Sequence, residues 1–139
     1  MELQFAFLAD AATITNDGLF AVIGGGLDVI ETQSMPAIKS TLVLVGRVVF
    51  KPSEFGKTHV VACEIHGPSG KIPQPPMALE IKPFKHPRDS RRPNWITVCF
   101  NYQGVRFLEP GDHYLRLSVK RKILGEVRVE VVSAQRGKT

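Results

Sequence analysis

The sequence predicts an all-β chain: a two-sheet antiparallel β-sandwich of immunoglobulin-like or jelly-roll-like type, built from about eight short strands. Three observations predict it. Nearly every apolar run alternates at period two, the period of a pleated strand. The runs are short, rich in β-branched residues and separated by clusters of Gly and Pro. No window of helical length carries an apolar stripe at three- and four-residue spacing. With 139 residues the chain fits one domain, 1–139, and such a length buries about two-thirds of its unfolded surface without needing a disulfide or metal.

The first strand is expected where Leu3, Phe5, Phe7 and Ala9 alternate with Gln4, Ala6, Leu8 and Asp10. A single helical turn is allowed near Ala11 to Thr15. Leu19 to Ile23 forms a second strand, interrupted by Gly24-Gly25-Gly26 and resumed through Leu27 to Ile30. Thr41 to Phe50 is apolar at almost every position, as in a central strand covered on both faces, and Gly46 within it marks a bulge or a close backbone approach. Thr58 to His66 and Ala78 to Lys82 follow, separated by a turn-rich stretch holding Gly67, Gly70, Pro73, Pro75 and Pro76. Trp95 to Tyr102 places Ile96, Val98, Phe100 and Tyr102 on one face. Tyr114 to Lys120 and Val127 to Val132 read as the arms of a hairpin around Arg121 to Gly125, with Val127, Val129 and Val131 inward against Arg128 and Glu130. Glu109 to Val119 puts a turn, a Tyr and then alternating apolar residues in sequence, the pattern of a tyrosine corner at Tyr114.

The amino-terminal half carries a further pattern: Leu8-Ala-Asp10, Gly18-Leu-Phe, Gly26-Leu-Asp28-Val-Ile30, and Pro36 ahead of the strand at Leu42. In these residues the chain resembles a family of uncharacterised bacterial proteins, a domain of unknown function, and Gly111 to Val119 is similar to that family's carboxy-terminal half. The resemblance implies a β-sandwich and brings no activity, cofactor or catalytic residue.

Several chemistries are weighed against plainer readings. The glycine run at 24–26 lacks the helix that a phosphate-binding loop must open, so it reads as a bend between strands. On a strand, His59 and Cys63 share a face that His66 does not, so the three do not converge on a metal. Cys63 is read as a small core residue, and His59 and His66 as surface residues near strand ends. Gly-x-Ser-x-Gly is absent, and Cys99 sits in an apolar strand. Asp10 and Asp28 read as turn formers, with convergence in space left open. No catalytic, metal-binding or cofactor-binding residue is therefore expected, and no cofactor. The amino terminus lacks a positive n-region and no run approaches the ~20 apolar residues of a membrane span. A cytoplasmic protein with two free thiols is expected.

One connection stands out. Lys82-Pro-Phe84-Lys85-His-Pro-Arg88-Asp-Ser-Arg91-Arg92-Pro-Asn-Trp95 carries five cations and one Asp, 5 − 1 = +4, beside 18 − 13 = +5 for the chain. Three prolines keep it extended, and Phe84 and Trp95 flank it with flat rings. The residues expected to bind are Lys82, Phe84, Lys85, Arg88, Arg91, Arg92 and Trp95. The functional expectation is a non-enzymatic interaction module for an acidic protein partner. Alternatives are a nucleic-acid-associated protein, with cations on phosphates and rings on bases, or an enzyme whose site converges from several loops. The plain alternative is a solvated loop. Lys120-Arg121-Lys122 extends the patch if it lies at the same end of the molecule. The sequence fixes neither the number of subunits nor the partner.

Overall fold

A computed structural model describes residues 1–16, 19–71, 74–84 and 94–134. Among these the chain is all β apart from one 3-10 turn at Pro52–Glu54, and no helix is long and apolar enough to cross a membrane. The strands in order are β1 (Glu2–Ala9), β2 (Ala11–Ile14), β3 (Phe20–Ile23), β4 (Val29–Thr32), β5 (Ala37–Phe50), β6 (His59–Gly67), β7 (Gly70–Lys71), β8 (Met77–Ile81), β9 (Asn94–Phe107), β10 (Gly111–Val119) and β11 (Lys122–Ser133). They form a three-stranded sheet, β1-β5-β9, and a six-stranded sheet in the order β4-β11-β10-β6-β7, with β8 also pairing β6. β2 and β3 make a separate hairpin. Every pair is antiparallel except β4 with β11, which is parallel, so the wholly antiparallel expectation is corrected at one edge.

One core lies between the two larger sheets. Leu42, Leu44, Val48 and Phe50 from β5 and Val98, Phe100 and Tyr102 from β9 meet Val61, Cys63 and Ile65 from β6, Leu115 and Leu117 from β10, and Val129 and Val131 from β11. Burying each such aliphatic or aromatic side chain stabilises the fold by about 1.5–3 kcal/mol. The inward set on β9 is the one its alternation predicts. At Ser40 and Gly104, which fall between the pairs Lys39 with Val105 and Thr41 with Gln103, the parity switches on both strands. Beyond that point Ala37, Val105 and Phe107 turn inward, and Gly104 takes the left-handed φ of 64° that the switch requires. A polar tie crosses the core as well: the buried Tyr102 hydroxyl donates to the Cys63 carbonyl at 3.1 Å, joining β9 to β6.

The first strand departs from simple alternation. A register shift between Leu3 and Phe5 inserts a bulge, so Leu3, Ala6 and Leu8 face the core while Phe5 and Phe7 turn to the outer surface. There Phe20 of β3 packs 5.9 Å from each ring. The hairpin β2–β3 covers this outer surface, so Val43 and Val45 of β5 are buried although they point away from the main core. The expectation that β5 is central and covered on both sides is met. Gly46 is a close approach: an added Cβ would stand 3.4 Å from the Phe5 carbonyl and 3.5 Å from Val98. The bulge itself sits on β1.

Three local expectations are corrected. Ala11 to Ile14 is strand rather than helical turn, because Thr13 and Ile14 are β-branched and pair with Ala21 and Phe20. The hairpin arms meet at Lys120-Arg121, not across Arg121 to Gly125, since Val119 pairs directly with Lys122. No tyrosine corner forms at Tyr114, whose side chain is exposed on the face opposite Leu115 and Leu117. The glycine run turns between β3 and β4, with Gly24 and Gly26 at positive φ and the amides of Gly26 and Leu27 both donating to the Leu8 carbonyl.

Candidate interaction surface

The register brings separate connections to one end of the molecule. Glu2 pairs with Val49 and Asn94 with Phe50, so the start of β1, the end of β5 and the start of β9 coincide. In the larger sheet, His59 at the start of β6 pairs with Ile81 at the end of β8. Ser118 pairs with Ala62, which carries the β10–β11 turn to that same end. The two sheets meet there through the rings of Phe50 and His59, 5.7 Å apart. A cavity of about 270 Å³ lined by Met1, Glu54, His59, Val119, Lys120 and Lys122 confirms the convergence.

This end is basic. Lys51 and Lys57 flank the 3-10 turn, Lys82 follows β8, and Lys120, Arg121 and Lys122 form the hairpin tip; all six are exposed. Among the described residues, none of them lies within ion-pair distance of a carboxylate. Glu54 is already engaged, accepting from the Met1 amine at 2.8 Å and the Lys51 amide at 2.9 Å. Although burial alone would raise its pKa, the bond from the amine, the Lys51 amide and nearby charge together hold it below the usual carboxylate value. Glu2 and Glu80 are the other described carboxylates at this end, so six side-chain cations face three acids.

Of the seven residues expected to bind, Lys82, Phe84 and Trp95 are described, and Lys85, Arg88, Arg91 and Arg92 lie outside the described residues. The stems on either side of 85–93 are tied together: the Asn94 side-chain amide donates to the Phe84 carbonyl at 2.8 Å, and the Gly56 amide to the Pro83 carbonyl at 2.8 Å. Phe84 is 65% exposed and free for contact. Trp95, 38% exposed, is already stacked, with the Arg47 guanidinium 3.9 Å from its ring centroid and 5.2 Å from that of Phe5. Arg47 was missed because it hides in the apolar run of β5. Its only signal is a charge at an outward position beside the register partner of Trp95, Val49.

The β10–β11 tip carries a conformational cost. Lys120 and Arg121 sit at φ 49° and 68°, a two-residue turn of the kind that favours Asn-Gly. Left-handed backbone costs a residue with a side chain about 1–2 kcal/mol.

The remaining candidates separate. Cys63 is fully buried and points into the core, and burial pushes its thiol up to about 11. His59 faces inward against Phe50, with Nε2 3.1 Å from the Glu54 carbonyl, which corrects its reading as a surface residue. His66 stands on the opposite face, paired with Glu64 at 3.1 Å. Cys99 is half-buried on the outer face, its thiol raised by burial. Asp10 pairs with Lys39, while Asp28 gives its carbonyl to the Glu130 amide at 2.9 Å. Among the described residues no three His, Cys, Asp or Glu side chains are grouped to hold a metal ion.

A model of a family of unknown function, DUF6941, matches residues 4–132. No curated protein matches the chain.

Proposed function

The chain belongs to DUF6941, a family of unknown function, and since membership assigns no activity we propose from the geometry that it is a non-enzymatic interaction module, a two-sheet β-sandwich whose basic end docks an acidic protein partner. The observation that carries this reading is the meeting of Lys51, Lys57, Lys82 and Lys120 to Lys122 at one end, exposed and without carboxylate partners among the described residues. Like charges gathered from separate connections repel one another, and an acidic surface brought against them relieves that repulsion and steers its own approach. The segment 82–95, with a net charge of +4, springs from the same end. Phe84 supplies an exposed apolar contact beside the charges.

A protein partner is favoured over nucleic acid because Arg47 already occupies a face of Trp95, the ring that base stacking would use. Two free thiols suit a reducing compartment, and the proposal places the protein in the cytoplasm.

The test is affinity capture with the wild type and with a variant reversed in charge at Lys85, Arg88, Arg91 and Arg92. Bound protein is identified by mass spectrometry after nuclease treatment. An acidic protein retained by the wild type, released by high salt and lost by the variant is the expected result. Equal retention by both forms, or insensitivity to salt, overturns the reading. Material that nuclease removes moves the assignment to nucleic acid.

A further inference from the structure

We infer that a groove on the outer face of the six-stranded sheet, next to the basic end, is the seat of an extended acidic peptide segment. The inference rests on the interaction-module reading and specifies where the partner's carboxylates go. On β6 the side chains of Val61, Cys63 and Ile65 enter the core, and on β10 those of Leu115, Leu117 and Val119 do. The opposite parity therefore builds an outer surface, hollowed into a groove of about 580 Å³. Val60, Ala62 and Ile123 give it apolar surface, Thr58 and Ser118 add hydroxyls, and its charged lining is three cations, Arg116, Lys120 and Arg121, against one acid, Glu64. Val60 and Ile123 are 45% and 50% exposed, so the groove offers apolar surface to an occupant.

The three cations are not equivalent. Arg116 is committed to Glu126 at 3.2 Å. Lys120 and Arg121 have no such partner among the described residues, and both are held in the left-handed backbone that Asn and Gly adopt readily. A turn that retains two basic side chains in a conformation disfavoured for them points to a use for those side chains. The charge fits carboxylates, and the apolar surface fits the alternate side chains of an extended peptide. Among the described residues no aromatic ring lines the groove, which favours a peptide over the single-stranded nucleic acids that rely on a stacking platform.

The probe is a fluorescein-labelled peptide of about ten residues alternating Glu and Val, long enough to lie extended in such a groove, followed by fluorescence anisotropy. A thymidine oligonucleotide of the same length is the comparison. The key variant is Lys120→Asn/Arg121→Gly, which removes the charges while giving the turn its preferred residues. It is expected to weaken peptide binding by about tenfold or more while raising the thermal midpoint by roughly 3–6 °C. Val60→Glu, which puts a carboxylate in the groove lining at an exposed position, weakens binding independently of the turn. Reversal at Lys85, Arg88, Arg91 and Arg92 is expected to change the affinity of this short peptide by less than about threefold, since Lys120 and Arg121 supply the charge that holds it. Unchanged peptide binding in the turn and Val60 variants overturns the groove. If peptide binding is instead lost only in the loop-reversed variant, the groove is overturned and the interaction-module reading stands. Binding of the oligonucleotide but not the peptide overturns both.

Discussion

Replacing Tyr102 by Phe tests how the two larger sheets are held together. The Tyr102 ring is 2% exposed, and its hydroxyl donates across the core to the Cys63 carbonyl at 3.1 Å. Phe keeps the ring and its packing, so only the hydrogen bond is lost. A buried hydrogen bond contributes a net ~0.5–1.5 kcal/mol, and an acceptor left short of a partner adds to the cost. The expected destabilisation at neutral pH is about 1–2 kcal/mol, or a fall of about 3–7 °C in the thermal midpoint for a chain of this length. The pH dependence sharpens the test. Burial, followed by the neighbouring Cys63, raises the phenol pKa in the folded state. The unfolded chain therefore loses this proton first, near pH ~10, and from there the wild type gives up about 1.4 kcal/mol of stability per pH unit. Phe has no proton to lose. The gap between the two proteins should thus be full below pH ~10 and close about one unit above it. Urea unfolding followed by Trp95 fluorescence at a series of pH values measures this directly. A Phe variant within about 0.3 kcal/mol of wild type at neutral pH, below the scale of any net hydrogen bond, refutes the reasoning. So does a gap that widens as the pH rises.

Two further outcomes are expected. Gly24→Ala places a Cβ directly against the Asp10 carboxylate at a φ of 66°, whereas Gly26→Ala, at φ 84°, meets open space. Thermal melts should show the first losing about 1–3 kcal/mol and the second only about 1 kcal/mol, the left-handed penalty alone. Timed iodoacetamide labelling read by mass spectrometry should modify the half-buried Cys99 first. The fully buried Cys63, whose thiol is pushed up to about 11, should react only at the rate of unfolding.

Much of the fold was legible because a period of two is a direct physical consequence of the pleat. β5, β6 and β9 stand where their alternation puts them, and β11 shows the predicted inward valines. The bulge in β1 was not legible: an extra residue leaves no compositional mark, yet it reverses the destination of Phe5 and Phe7. Tyr114 drew attention as a corner residue although the inward parity of Leu115 and Leu117 already sends it outward. The tyrosine that does tie the sheets is Tyr102, whose partner is 39 residues away in sequence. The surface was half legible. Charge density picked out 82–95, but Lys51 and Lys57 contribute one cation each from separate connections. Only the strand register decides which connections share an end.

The parallel pairing of β4 with β11 has a consequence for the newborn chain. Val29 to Thr32 find their partners at Glu130 to Ser133, about a hundred residues later, so that edge of the six-stranded sheet cannot close until nearly all of the described chain has been synthesised. β5 likewise waits for β9, leaving its apolar run of Leu42 to Phe50 half-paired while some fifty residues are translated. Pairings so distant in sequence form slowly, and exposed strand edges invite misassembly meanwhile. The amino-terminal half is therefore the part that carries unpaired strand edges longest during synthesis.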